Sequence, residues 1–259
     1  MIGLYKDLDT GYRMSAVAGG LLATVLILKD WNLMVVYALI IIWCFLINFM
    51  FGKVAAKRIN QVIAIMNQHC QAQEFLQQLI CLQKHSKGKT MGLFFATNLA
   101  AAYLDLGDED TALYHLQNVN LDAKSQKRNQ YLLMVYYNNF ATAYMRKENW
   151  ETADEMLSNM KKIMDHAKLK PAEKQNAERI YQIQCMRMKV LQGNYEGAEE
   201  FFLKAIEQSC TLIEQVALTD CLRGIYLQEE RWQEAQNCKE FILQNGGDTY
   251  YVNSSAMQK

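Results

Sequence analysis

The chain has 259 residues, enough for one or two domains, and is neutral, with 27 Lys and Arg balancing 27 Asp and Glu. Apolar residues make up 51% and Pro171 is the single proline, which suits helices and argues against a turn-rich β protein. No basic excess marks a nucleic-acid binder, and seven cysteines without a CxxC pair argue against a disulfide framework and fit a reducing compartment.

Two uncharged apolar stretches come first, at residues 14–28 and 33–51. At ~1.5 Å per residue the second reaches about 28 Å, close to a hydrocarbon core of about 30 Å. The first does so when extended to 12–29, with Tyr12, Arg13 and Lys29 near the interfaces. Residues 29–32 allow only a tight hairpin between them, so residues 1–52 are expected to form a two-helix transmembrane hairpin. Ser15, Gly19 and Ala23 fall four apart, as do Ala16, Gly20 and Thr24, a spacing that lets membrane helices approach closely. The alternative is that these small residues only dilute a weak span.

A cleaved signal peptide fits less well, because Asp7 and Asp9 sit in what would be its basic region and a second span follows. A buried helical pair in a soluble domain fits less well too, given the continuous apolar run of the second stretch. Lys6, Arg13, Lys53, Lys57 and Arg58 flank the hairpin's open end, against Lys29 in the link. The positive-inside rule then gives an integral, multi-pass membrane protein whose N-terminus and everything after Gly52 are cytosolic. The second span can run on helically into 53–69.

Residues 53–245 read as helix after helix, with a pattern that returns. Asn98, Leu99, Ala100, Ala102 and Tyr103 match Asn139, Phe140, Ala141, Ala143 and Tyr144, and Ala112 and Ala153 follow each Tyr at the same distance. The ending returns at Ala198 and Ala235. Small residues let two antiparallel helices approach, and large apolar residues fill the space between successive pairs. One pair cannot bury its faces alone, so several must stack.

These residues resemble the tetratricopeptide repeat. Units at about 91–120 and 132–163 carry the resemblance best, the second with Trp150 in the aromatic slot. Units at about 175–207 and 212–244 match in part, with Lys189 and Arg223 at positions where the family has an aromatic and a small residue. A degenerate leading unit spans about 54–85. The four recurring alanines lie 41, 45 and 37 residues apart, longer than the family's usual ~34. The resemblance implies an all-α fold: the N-terminal transmembrane hairpin followed by an α-solenoid of antiparallel helix pairs, four to five units in all. Gly246-Gly247 reads as a helix stop. The tail, 246–259, is either loose or laid over the last pair with Tyr250, Tyr251 and Val252 as a cap.

No phosphate loop, GxSxG or HExxH motif occurs. Cys81 and His85 share a helix face, but a zinc site needs about four converging ligands. The chain is read as no enzyme, with no cofactor and no metal.

The resemblance also implies a working surface, the first helix of each unit lining a groove. By position it takes Phe94, Thr97, Ala101, Leu104 and Asp105 from the first unit. The second gives Val135, Asn138, Thr142, Met145 and Arg146, and the third Ile180, Ile183, Arg187 and Val190. Asn138, Arg146 and Arg187 have the chemistry to bind a peptide backbone or carboxylate; solvent exposure alone is the competing reading for Asn138 and Arg146. Asn98 and Asn139 fill a recurring slot, either for a ligand or only to bond neighbouring helices. The expected function is a membrane-anchored scaffold whose cytosolic groove binds a protein or peptide partner. The alternative is a structural or regulatory subunit of a membrane complex in which the hairpin makes the specific contact.

Overall fold

The computed structural model describes residues 5–29, 31–85, 91–119, 121 and 129–257, and among these the chain is all-helical, with twelve helices and no strand. The helices are α1 (Lys6–Leu28), α2 (Leu33–His69), α3 (Ala72–His85), α4 (Gly92–Leu106), α5 (Glu109–Gln117) and α6 (Gln130–Arg146). They continue as α7 (Trp150–His166), α8 (Pro171–Leu191), α9 (Ala198–Glu207), α10 (Leu212–Gln228), α11 (Trp232–Asn245) and α12 (Tyr250–Met257). Asp30 of the expected link and residues 258–259 of the tail lie outside the described residues. The chain divides into two compact units, one of Met1–Ile63 with Ile80–Lys89, the other of Ala64–Leu79 with Thr90–Lys259.

In the first unit, α1 and α2 are both long and apolar enough to cross a membrane. α2 continues as one helix to His69. The two meet in antiparallel order: Asp7 pairs with Arg58 at 2.8 Å, Tyr12 sets its ring edge-on to Phe51, and Gly19 lies under Trp43. The indole of Trp43 donates to the Ser15 carbonyl at 3.1 Å. Of the two small-residue rows, Ser15, Gly19 and Ala23 therefore face α2. Gly20 faces open space, and Thr24 bonds back to the Gly20 carbonyl. A Cβ on Gly19 would come within 2.4 Å of the indole. Gly19→Leu is expected to push Trp43 off Ser15 and destabilise the pair by about 1–3 kcal/mol. Gly20→Leu should be tolerated, so equal melting losses in detergent for the two variants would contradict this packing. Most large side chains of both helices, Met14, Leu21, Leu28, Met34, Ile41 and Phe45 among them, are exposed.

The second unit packs in succession. α4 packs on α5 and α6, α6 on α7 and α8, α8 on α7 and α9, and α10 on α9 and α11. Its interior is a series of linked cores, around Leu116 and Phe140, around Leu157 and Ala153, and around Phe202 and Leu222.

The backbone repeats with the sequence. Gly107, Glu148, Gly193 and Glu230 all have positive φ, between 56° and 85°. At each turn the next amide bonds the carbonyl five residues back: Asp108 to Tyr103, Asn149 to Tyr144, Asn194 to Lys189 and Arg231 to Tyr226, at 2.8–2.9 Å. This is the Schellman ending, which satisfies carbonyls left over at a helix C-terminus. Asp108 and Asn149 then cap the following helix by accepting from Thr111 and Thr152. Five residues after each positive-φ position stands a buried alanine, Ala112, Ala153, Ala198 or Ala235. The chain thus carries a helical repeat-like fold with intervals of 41, 45 and 37 residues between equivalent positions.

Gly107 has a second constraint, since a Cβ there would meet the Tyr250 ring at 2.9 Å, whereas Gly193 faces open space. Both Gly→Ala changes incur about 1–2 kcal/mol for the left-handed backbone. Gly107→Ala is expected to lose measurably more, because it also displaces Tyr250. Denaturant midpoints that fall equally for the two variants would contradict the contact.

Candidate functional site

The recurring amide slot ties successive helices together. Asn139 on α6 donates to the Thr97 carbonyl of α4 at 2.8 Å. One unit on, Gln184 on α8 donates to Asn138 Oδ1 at 2.9 Å and to Thr142 Oγ1 at 3.2 Å of α6. Asn98 instead donates to the Phe94 carbonyl in its own turn, at 2.8 Å. A buried amide must find partners or forfeit its hydration, so this slot fixes the register of α4, α6 and α8. Asn138 is half-buried in that ladder rather than simply solvated.

The expected groove residues separate by environment. Met145 and Ile183 are buried in apolar cores, Met145 with Ala153 and Leu157, Ile183 with Ala198 and Phe202. Thr97, Asn138 and Thr142 belong to the amide ladder, and Thr97 also donates to the Leu93 carbonyl at 2.5 Å. Phe94 sets its ring edge-on to Phe95, and Ala101 is half-buried on the α4 face that carries Thr97 and Asp105.

Asp105, Arg146 and Arg187 converge. They come from the alternate helices α4, α6 and α8, one charge from each, and interact electrostatically. Arg146, with a side chain only 12% exposed, pairs with Glu109 at 3.2 Å and also donates to the Leu104 carbonyl. Its guanidinium lies 4.6 Å from the centre of the Tyr250 ring and donates to the Tyr251 hydroxyl at 3.3 Å. Arg187 interacts electrostatically with the Cys221 thiol, Asp220 and Tyr251. Burial weighs against both guanidinium charges, but the surrounding acceptors outweigh it and both remain cationic.

Asp105 keeps some solvent access, yet desolvation pushes its carboxyl up to about 7 against the opposing pull of Arg146 and Arg187. The unfolded chain sheds that proton near 3.8. Between the two values the folded chain holds more protons, so stability falls as the pH rises through this window and levels off above about 7. Asp105→Asn is expected to remove that slope: its advantage in melting temperature over wild type should grow from pH 5 to 7 and then stay constant. An advantage that shrinks with rising pH would contradict the burial of Asp105.

Glu109, Gln184, Cys221, Tyr250 and Tyr251 complete the site, and none of them is among the groove positions that the resemblance implies. Gln184 was visible in principle, because it stands in the third unit where Asn98 and Asn139 stand in the first two. Nothing local in the sequence assigns the two tyrosines to Arg146, a contact 105 residues away.

No protein-family model, curated protein or solved structure matches the chain.

Proposed function

We propose that this protein is a membrane-anchored interaction scaffold, with a unit related to tetratricopeptide repeats that takes a protein or peptide partner on the inner face of α4, α6 and α8. The observation that carries the reading is the convergence of Asp105, Arg146 and Arg187 from three alternate helices, α4, α6 and α8. Charged side chains are seldom buried, and here three are gathered at one place. The Arg146 fork, which holds a carbonyl, a carboxylate and a hydroxyl, suits a peptide's backbone and polar side chains. Two exposed apolar helices fit a hairpin spanning the bilayer, with Tyr12, Phe51 and Lys53 near one interface. The flanking basic residues place both ends of the hairpin in the cytosol in this reading. A reporter fused after Lys259 should be active only in the cytosol; activity only on the opposite side would overturn the orientation.

The exposed apolar surface of α1 and α2 favours a second reading, in which the hairpin itself contacts other spans of a membrane complex. Exchanging residues 1–51 for an unrelated hairpin separates the two. Function retained assigns specificity to the inner face, and function lost assigns it to the hairpin.

A further inference from the structure

The inner-face site is already covered by the chain's own C-terminal segment. After α11 the chain turns at Gly246-Gly247, and Asp248 caps α3, its carboxylate accepting from the amides of Ala72 at 2.5 Å and Gln73 at 3.0 Å. α12 then packs on α10, α11 and α4. Tyr251 is buried against Arg146, and Tyr250 lies over the same guanidinium and against Gly107. The same segment buries the Ser255 hydroxyl, which finds no hydrogen-bond partner among the described residues. Eight residues are too few to hold a helix without tertiary contacts, and an unpaired buried hydroxyl weakens those contacts. Beyond Asp248, α12 is anchored mainly by Tyr251, which packs with Cys70, Val216 and Ile242, while Ser255 is left unpaired among the described residues.

Resting on the binding role above, we propose that α12 is a displaceable intramolecular ligand. The partner that replaces it is a short peptide helix presenting two neighbouring aromatic rings to Arg146, one of them with a hydroxyl for its guanidinium. The chemistry of the entering segment is read from the segment in place: neutral, aromatic, and able to share a hydroxyl with one guanidinium while stacking on it. Residues 249–257 swing clear while the Asp248 cap on α3 stays closed.

Hydrogen exchange on the full chain in detergent tests the first half. Amides of 250–257 should exchange at least about a hundredfold faster than those of 216–226 in α10, the mark of local opening. Equal protection of the two segments overturns the proposal. The second half is read with a labelled synthetic peptide of residues 246–259 as probe. It should bind full-length Tyr251→Ala at least about tenfold tighter than wild type, and a peptide carrying the same Tyr251→Ala change should not bind. A folded Tyr251→Ala chain that ignores the peptide overturns the proposal. So does a Tyr251→Ala chain that loses protection in α10 and α11, since α12 would then be part of the core. Peptide uptake without any partner at the inner face would leave the displaceable helix standing and sink the binding role.

Discussion

Arg146→Ala is expected to destabilise the helical unit by about 3 kcal/mol or more. The side chain is nearly enclosed, and its removal strips a partner from four groups at once: the Leu104 carbonyl, Glu109, the Tyr251 hydroxyl and the Tyr250 ring. Leu104 lies in the last turn of α4, and its carbonyl would be left with the Gly107 amide alone, at 3.0 Å. Asp105 would keep only Arg187 as a cationic neighbour, which raises the cost of its ionised form. For a unit of this size the loss corresponds to a fall in melting temperature of about 6–12 °C. Arg146→Lys keeps the charge but has no planar fork and stacks less well on Tyr250, so it should fall between wild type and the alanine variant. A melting temperature of Arg146→Ala within about a degree of wild type would show that the guanidinium is solvated and the cluster does not exist.

Phe202→Ala is expected to be at least as damaging, at about 3–5 kcal/mol. Phe202 on α9 is fully buried among Ile183 of α8, Leu218, Leu222 and Ile225 of α10, and Ala198 of its own helix. The neighbours come from three helices, which limits how far they can close over the cavity. Phe201, one residue earlier, is half-buried, and its alanine variant should lose much less. In a repeat-like stack each pair leans mainly on its neighbours. Exchange protection in Phe202→Ala should therefore fall first in α8–α11 while α4 and α5 hold. Uniform loss across the unit would mean that the linked cores behave as one.

The repeat was legible because it rests on short-range requirements. A buried alanine where two helices cross, and a turn five residues before it, leave marks at fixed spacing. Two turn positions were harder to read, because Glu148 and Glu230 take the left-handed conformation without being glycine. Lys189, placed where the resemblance wants an aromatic, does not disturb the third turn, since the turn uses its carbonyl and not its side chain. The site was legible only by half. Carrying groove positions from unit to unit kept Asp105, Arg146 and Arg187. It also included Met145 and Ile183, whose neighbours Arg146 and Gln184 make the inner-face polar contacts. One residue along a helix turns the side chain by about 100°, so a difference of one separates core from site. The tail was legible only as an alternative: it is laid over the last pair, α10 and α11, but its reach to α4 had no mark in the sequence. Whether Tyr250 and Tyr251 stay loose, cap the last pair or reach α4 depends on where Arg146 stands in three dimensions.

The most direct test is photo-cross-linking in native membranes from a probe at Ala101, on the inner face of α4, with an exposed control at Glu155 on α7. It should be run in the wild-type and Tyr251→Ala chains. A discrete adduct with another polypeptide is expected from Ala101 and not from Glu155, stronger in Tyr251→Ala and competed by the 246–259 peptide. No adduct from Ala101 in either chain, or the same adducts from both positions, would contradict a partner site on this face.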